Sequence, residues 1–370
     1  MAKVSVLINN YNYARYIEQC LVSLFKLTYK NFEIIIYDDG SKDNSLEILE
    51  QYKNRVKVIA KSNYKHTPNE NQANAIYQAF LQSTGDIICL LDSDDMFCKE
   101  KLEKIVKVFE SDDEITTVQN LMFETDGEGR SSNIVRPIIK EVNNIHTYIF
   151  EKQNFFHLFV PTSGLSFRRS FLEKVLPLRE DELNYIWPDA RLSLLSVFYG
   201  KIHTIMEPLT YYRIHDVNDS NARGTLSGHS KYLEQIYLYF NNLAQLNGYY
   251  PIEFSRDIYL ENTYFYLNLN EEVINSFVLN NENVLIWGAG EAGQSICHFL
   301  NKNDCTVSGF IDSNANRTGE KIMEVSVSMP IYSKGTKYIV SPIHAYELIK
   351  KQLEANGFIE NIDFIYPYKE

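Results

Sequence analysis

The chain has 370 residues, which is enough for roughly two or three domains, and 45% hydrophobic with 23% charged residues is the composition of an ordinary folded protein. Its formal net charge is −12, from 36 Lys and Arg against 48 Asp and Glu. This balance argues against binding to nucleic acid, which rests on many contacts between basic side chains and phosphates. It also disfavours general adsorption to anionic membranes, although a local basic patch would still allow peripheral contact.

The cysteines and the first residues indicate a compartment. The number of cysteines, five, is odd, and none forms a C-x-x-C pair, as expected of reduced thiols in the cytosol. The first apolar run is too short for a signal peptide, and no stretch approaches the ~18 apolar residues of a membrane span. We therefore expect a cytoplasmic protein whose membrane contact, if it has any, is peripheral at the inner face.

The first 110 residues alternate strand and helix patterns. Four buried strands are predicted at 4–8, 32–37, 56–59 and 86–91, with amphipathic helices between them. This alternation predicts a parallel sheet, and ligands of such sheets bind beyond the carboxyl ends of the strands. Two acidic clusters, Asp38-Asp39 and Asp92 to Asp95, come directly after the second and the fourth strand. We therefore expect both clusters at the ligand-binding edge.

The rest of the chain changes character twice. Residues 226–280 are rich in Tyr and Asn with apolar residues at helical spacing, which predicts a helical connector. A second α/β unit is predicted from Asn283, with strands at 284–287, 307–311 and 337–341. The expected domains are therefore 1–225, the connector 226–280, and 281–370.

Asp92-Ser93-Asp94 forms a D-x-D pattern at the tip of a strand. Two carboxylates at this spacing can share one divalent cation, whose other positions suit phosphate oxygens and water. The pattern alone is weak, because acidic loops produce it by chance.

Seven segments, one of which contains this D-x-D, follow one another in a characteristic order. They are VSVLINNYN at the start, YDDGSKD, NQANAI and TGDIICLLDSDD, and then PTSGLSFRR, WPDARL and YYRIH. This succession, over residues 3–220, resembles the GT-A nucleotide-sugar glycosyltransferases, in particular the inverting family 2. The resemblance implies a GT-A fold for the N-terminal domain.

The resemblance also assigns a donor site. It implies that Asn9, Tyr11 and Asp39 hold the nucleoside, with Asp39 accepting from the imide N–H of the base and Tyr11 stacking on it. Gln72 matches a donor contact, although a glutamine on a helix surface is almost as good an interpretation. Asp92 would reach the ribose or a metal-bound water.

A metal and a base follow from the same resemblance. It implies that Asp94 binds Mn²⁺ or Mg²⁺ directly with Asp92 beside it, and His215 as a further ligand would favour Mn²⁺. Asp189 matches the catalytic base, while a plain acid in the first turn of a helix is the alternative. The segment with Ser163, Gly164 and Arg168 is expected on the acceptor side because it precedes the base in the sequence.

The second α/β unit carries its own motif. Gly288, Gly290 and Gly293 follow a predicted strand and open a helix, and Asp312 follows the next strand, as in dinucleotide-binding sites. The unit is long enough for only one mononucleotide-binding half. It also resembles the small Rossmann-like domains appended to bacterial polysaccharide enzymes. Binding of NAD or another nucleotide and a structural role with an empty glycine turn both stay open.

The sequence thus predicts an α/β protein with a GT-A domain, a helical connector and a Rossmann-like domain. The resemblance implies an EC 2.4 enzyme of the hexosyltransferase type that acts with inversion. Its donor would be a nucleotide sugar, which in this family is usually a UDP-sugar. Its acceptor would be a saccharide or lipid-linked saccharide in bacterial surface polysaccharide synthesis. The alternatives are an NAD- or nucleotide-linked oxidoreductase and a sugar-nucleotide sensor, both built on Gly288 to Asp312.

Overall fold

The computed structural model describes residues 1–61, 67–137, 139–178, 186–215, 226–267, 269–279 and 283–369. Within these residues the chain forms two compact units, 1–253 and 254–370. Each unit has its own sheet and its own buried core. The two units are described separately below.

The first unit starts with a parallel arrangement, as predicted. Its strands are β1 (Val4–Asn10), β2 (Phe32–Asp38), β3 (Lys57–Ala60) and β4 (Ile87–Asp92), in the order β3-β2-β1-β4. The register pairs Asn10 with Asp38 and Asn9 with Asp92, so the polar ends of three strands meet at one edge. Strands of this kind are buried on both faces, which explains their almost continuous apolar runs.

Beyond β4 the sheet becomes mixed. The additional strands are β5 (Met96–Phe97), β6 (Ile115–Thr125), β7 (Ser131–Arg136), β8 (Leu165–Arg168) and β9 (Lys201–Arg213). The order continues β4-β8-β6-β9-β5, with β7 paired to β6. Strand β8 runs antiparallel to both β4 and β6, whereas β6 and β9 are parallel.

Helices cover this sheet. Those described are α1 (Ala14–Phe25), α2 (Ser45–Glu50), α3 (Pro68–Leu81), α4 (Lys101–Ser111), α5 (Ile145–Lys152), α6 (Arg169–Val175), α7 (Pro188–Tyr199) and α8 (Leu226–Leu246). A single 3₁₀ turn, Thr162–Gly164, leads into β8. The start of α3 is fixed by a capping box between Thr67 and Glu70 with Pro68 in the first turn, a combination that satisfies the exposed amides there.

The second unit is a smaller α/β fold. It contains α9 (Arg256–Tyr266), α10 (Glu271–Val278), β10 (Val284–Trp287), α11 (Glu291–Lys302), β11 (Gly309–Ile311), β12 (Lys321–Ile322), β13 (Val325–Ser328), β14 (Lys337–Val340), α12 (Tyr346–Ala355) and β15 (Phe364–Ile365). The sheet order is β12-β13-β11-β10-β14-β15, and all pairs are parallel except β12 with β13. This is the arrangement of a Rossmann-like unit.

The helices expected at 226–280 are present, but they do not form a unit of their own. Helix α8 belongs to the first compact unit, whereas α9 and α10 belong to the second. The structural boundary therefore lies at 253/254, within the segment expected to be a connector. Among the described residues there is no helix with the length and apolar character required to cross a membrane.

Candidate active site

A cavity of about 690 Å³ opens at the carboxyl ends of β1, β2 and β4. Seven of the residues singled out from the sequence line it, namely Asn9, Tyr11, Asp39, Gln72, Asp92, Asp94 and Asp189. They come from three strand ends and two helices that are far apart in sequence. The cavity is therefore the place where the predicted site residues meet.

The two carboxylates after β2 have different tasks. Asp38 Oδ1 accepts from the backbone N–H groups of Gly40 and Ser41, and its Oδ2 accepts from Asn10 Nδ2 at 2.7 Å. Asp38 thus holds the turn, in which Gly40 has a φ of +78° that favours glycine. Asp39, 5% exposed, lies on the cavity side of this turn.

Asp92 is held from several sides. Its Oδ1 accepts from Gln72 Nε2 at 2.9 Å and more distantly from Asn9 Nδ2 at 3.4 Å, and its backbone N–H donates to Ser163 Oγ at 3.0 Å. Burial, together with the negative charges of Asp94 and Asp189, raises the pKa of Asp92 to about 7. Burial and two nearby carboxylates make the ionised form of Asp92 costly.

Asp94 and His215 lie side by side. His215 Nε2 is 3.0 Å from Asp94 Oδ2, and both residues are 9% exposed. The imidazole stacks on Tyr16, with ring centroids 4.8 Å apart, and meets the edge of Tyr13 at 5.8 Å. Burial and the charges of Asp94 and Asp92 raise the pKa of Tyr13.

These side chains also test whether a divalent cation would fit. No cluster of three or more His, Cys, Asp or Glu side chains in metal-binding geometry occurs among the described residues. The adjacent carboxylate and imidazole of Asp94 and His215 are nevertheless a suitable donor pair for Mn²⁺ or Mg²⁺. Such a pair fits a cation whose remaining positions are filled by ligand oxygens rather than by protein.

Arg213 was missed from the sequence, although it lies two residues before His215. Its backbone N–H donates to Asp95 Oδ1, its Nε donates to the carbonyl of Asp94, and another guanidinium nitrogen donates to Gln19. The side chain is fully buried. Burial and the charge of Asp94 raise the pKa of Asp95. Arg213 thus fixes the backbone on which Asp94 is carried.

Asp189 lies in the first turn of α7, after Pro188, and faces the cavity. Its Oδ1 accepts from the N–H of Ala190 at 2.7 Å, and its Oδ2 accepts from the N–H of Thr162 at 3.2 Å, with Thr162 Oγ1 at 3.4 Å. Asp189 is therefore both an acid in the first turn of a helix and a group that can contact a ligand bound in the cavity. Both interpretations of the sequence agree with this position.

The structure places the expected acceptor-side residues elsewhere. Ser163 and Gly164 are buried beneath Asp92, and a Cβ on Gly164 would lie 2.9 Å from the carbonyl of Asn120. Arg168 donates to the carbonyls of Phe109, Asp112 and Ile115. The expectation for Arg168 is corrected, because β8 runs antiparallel to β4 and pairs Arg168 with Ile87, at the end of β4 opposite to Asp92.

Sequence reasoning also missed one wall of the cavity. Apart from the acids and amides, the lining is mainly apolar and aromatic, from Pro137, Phe155, Phe156, Phe159, Val160, Pro161, Trp187, Leu194, Tyr212, Tyr232, Leu233 and Ile236. The aromatic run at 155–159 was a visible signal, but nothing in the sequence relates it to α8.

The glycine turn of the second unit is closed by its own residues. Gly288 has a φ of +102°, and a Cβ on Gly293 would lie 1.9 Å from the carbonyl oxygen of Gly288. Asp312 Oδ2 accepts from the N–H of Ala289 at 3.2 Å and from Arg317 at 3.4 Å. By contrast, a Cβ on Gly290 would meet nothing within 4 Å.

Comparison with known sequences now assigns the class. The profile described as "Glycosyl transferase family 2" matches residues 5–176, and "C2185-like, N-terminal" matches residues 280–361. The uncharacterized glycosyltransferase alr2836 of Nostoc sp. is 34% identical over 278 residues, which are 71% of this chain and 83% of that protein. The chain belongs to glycosyltransferase family 2, and its first unit has the GT-A fold.

One further sequence relative and two solved structures are also similar to this chain. Glycosyltransferase GlyG of Streptococcus pneumoniae is 32% identical over 120 residues, 32% of this chain and 38% of that protein. S. aureus TarS 1–349, solved with UDP-GlcNAc, has a TM-score of 0.48 and 18% identity over 72% of both chains. The mannosyltransferase PcManGT of Pyrobaculum calidifontis, solved with GDP-Man and Mn²⁺, has a TM-score of 0.46 and 14% identity over 64% of this chain and 63% of that chain.

Proposed function

We propose that this glycosyltransferase is an inverting enzyme of the hexosyltransferase type. It moves a sugar from a nucleotide sugar, in this family usually a UDP-sugar, to a hydroxyl of a saccharide or lipid-linked saccharide. The product would belong to a bacterial surface polysaccharide. The observation that carries the proposal is the meeting of four carboxylates, Asp39, Asp92, Asp94 and Asp189, in one cavity. Four negative charges at one site favour a ligand complex that brings positive charge with it.

The nucleoside would bind beside the turn after β2. Asp39 has a carboxylate that can accept from the imide N–H of uracil, and the shared turn with Asp38 holds it in place. Tyr11, 43% exposed at the same edge, offers a ring on which the base can stack. The side-chain amides of Asn9 and Gln72 donate to Asp92 and would hold its carboxylate towards the ribose.

A divalent cation would be held by Asp94 and His215, with Asp92 beside them. When bound, it supplies positive charge that offsets the charge growing on the nucleoside diphosphate leaving group. The imidazole ligand favours Mn²⁺ over Mg²⁺. Arg213 keeps the carbonyl of Asp94 fixed, so the carboxylate above it is preorganised.

Asp189 would act as the base. One of its carboxylate oxygens takes the proton of the acceptor hydroxyl while the oxygen of that hydroxyl forms a bond to C1 of the sugar. The bond from C1 to the diphosphate breaks on the opposite side, so the anomeric configuration inverts. Thr162 and Ala190 donate to the carboxylate and hold it at the cavity, which reduces the entropy lost on reaching the reactive geometry.

The acceptor would lie against the apolar wall, next to Asp189. Trp187 and the aromatic run at 155–159 offer flat surfaces for the apolar faces of sugar rings, and Leu233 with Ile236 extends that surface. An acceptor bound there could be a saccharide, a lipid-linked saccharide or both in turn. Peripheral contact with a membrane would accompany the second of these.

The proposal is tested with a panel of nucleotide sugars and NAD(H), each with Mn²⁺, Mg²⁺ or chelator, by following binding and slow donor hydrolysis. We expect metal-dependent binding and turnover of at least one nucleotide sugar, lost by about a thousandfold in Asp94→Ala because the remaining ligand set is incomplete. Asp113→Ala, which removes a fully exposed carboxylate, is the matched control and should leave both unchanged. Binding of NAD(H) alone, without any metal-dependent sugar nucleotide, would overturn the proposal.

A further inference from the structure

One buried turn contacts both halves of the candidate site. The turn Thr162–Gly164 is buried, with Thr162 3% and Ser163 0% exposed. On one side the N–H of Thr162 donates to Asp189 Oδ2, and on the other Ser163 Oγ accepts from the N–H of Asp92. The base and the D-x-D strand are therefore tied to consecutive residues.

A buried lysine holds this turn in place. Lys101, at the start of α4, is 0% exposed, and its ammonium donates to the carbonyl of Ser163 at 2.6 Å and to Thr210 Oγ1 at 2.9 Å. Thr210 Oγ1 donates to the same carbonyl at 3.1 Å, and the ammonium lies 3.9 Å from the ring centre of Phe97.

Burying an ammonium is costly unless its donors are satisfied. Burial lowers the pKa of Lys101 to about 7, which expresses that cost. An apolar side chain would fill the same space without this penalty, so packing alone does not explain a lysine at position 101. The requirement we identify is the fixed place of the Ser163 carbonyl, and hence of the turn.

We propose that Lys101 and Thr162 are positioning residues of the transfer reaction: Lys101 anchors the Thr162–Gly164 turn, and the turn sets the place of Asp189 relative to Asp92. This rests on the proposed role of Asp189 as base. The turn contacts the carboxylate of Asp189 directly through the N–H of Thr162, whereas it contacts only the backbone N–H of Asp92, whose carboxylate accepts from Gln72 and whose strand is paired with β1. Loosening the turn therefore displaces the base more than the donor site.

The test compares kinetic constants of the full chain in a folded state, confirmed by near-UV circular dichroism. Lys101→Met keeps the length of the side chain but removes the ammonium. We expect kcat to fall at least tenfold, while KM for the nucleotide sugar and the Mn²⁺ dissociation constant change less than threefold. Lys107→Met, an exposed lysine of the same helix, is the matched control and should keep wild-type kinetics.

A second pair of variants keeps the proposal testable if Lys101→Met does not fold. Thr162→Val removes the hydroxyl and alters the contact with Asp189, so it should lower kcat about fivefold, and Thr162→Ser should restore it. Wild-type kcat in folded Lys101→Met or in Thr162→Val would overturn the proposal. So would a loss of kcat accompanied by an equal loss of donor affinity. A wild-type enzyme without any sugar-nucleotide turnover would instead refute the proposed function itself.

Discussion

In each unit a parallel strand leads through a glycine-bearing turn into a helix, and an aspartate bonds the turn, but the two units use their aspartates differently. In the first unit, Asp38 bonds the turn and leaves Asp39 on the cavity. In the second unit, Asp312 bonds both the turn at Ala289 and Arg317. The first unit has one acid that bonds the turn and one that lines the cavity, whereas in the second a single acid bonds both the turn and an arginine.

This difference shows that a strand–turn–helix pattern does not by itself specify binding. What distinguishes the units is the number of polar side chains that the sheet register brings to one edge. Asn9, Asn10 and Asp92 are paired across β1, β2 and β4, and they come together with a cavity of about 690 Å³. The glycine turn at 288–293 is instead packed closely, Gly293 against the carbonyl of Gly288 and Gly288 against Ser341 and Pro342.

The largest expected effect concerns that close contact. Gly293→Ala would place a Cβ 1.9 Å from the carbonyl oxygen of Gly288, so it should lower the free energy of unfolding of the second unit by about 3 kcal/mol. Gly290→Ala, with an ordinary φ of −73° and open space around it, is the matched control and should change it by less than about 1 kcal/mol. The two tryptophans lie in different units, so urea unfolding followed by Trp287 fluorescence in a Trp187→Phe background measures this. Equal effects of both substitutions would show that the turn is not held by this approach.

A matched pair of aspartates tests the division of tasks. Asp39→Asn should weaken binding of UDP about tenfold, because a charged hydrogen-bond acceptor for the N–H of uracil is replaced by a neutral one. Asp312→Asn should change it less than twofold. Calorimetric titration with UDP and Mn²⁺ gives both values. If Asp312→Asn were the variant that lost UDP, the nucleotide would belong to the second unit and the comparison would be reversed.

A smaller effect tests the support of the first sheet at its other end. Although burial alone would raise its pKa, hydrogen bonds from Ser5, Lys3 and Thr84 lower the pKa of Glu33 to about 2, from 4.5. A lowered carboxyl pKa stabilises the fold above pH 4.5, and that contribution is lost as the pH falls from 4.5 towards 2. Glu33→Gln should therefore cost about 1 kcal/mol at pH 7, allowing for its partial exposure, and little at pH 2. Urea unfolding at both pH values measures this, and a cost independent of pH would contradict it.

The sequence was sufficient to predict the acidic edge of the first unit. Apolar runs of strand length are followed directly by acids, and parallel strands bring their carboxyl ends together, so Asp39 and Asp92 could be placed at one edge. The two roles of neighbouring Asp38 and Asp39 could not be separated, because they depend on which carboxylate the turn uses.

The prediction failed where chain direction mattered. Arg168 follows Ser163 and Gly164 by only a few residues, yet β8 runs antiparallel to β4 and carries it away from the cavity. Lys101, Arg213 and the apolar wall were missed for a related reason. Their contacts span from about 60 to nearly 200 residues along the chain, and local periodicity contains no information on such pairings.

The central claim is that Asp189 is the base of an inverting transfer, and Asp189→Asn tests it most directly. The measurement is donor turnover beside the dissociation constant of the donor with Mn²⁺, on the same protein. We predict that turnover falls by at least about a thousandfold while donor affinity stays within threefold, because the amide cannot take the proton but leaves the donor site intact. Turnover within tenfold of wild type, with donor affinity retained, would contradict the account.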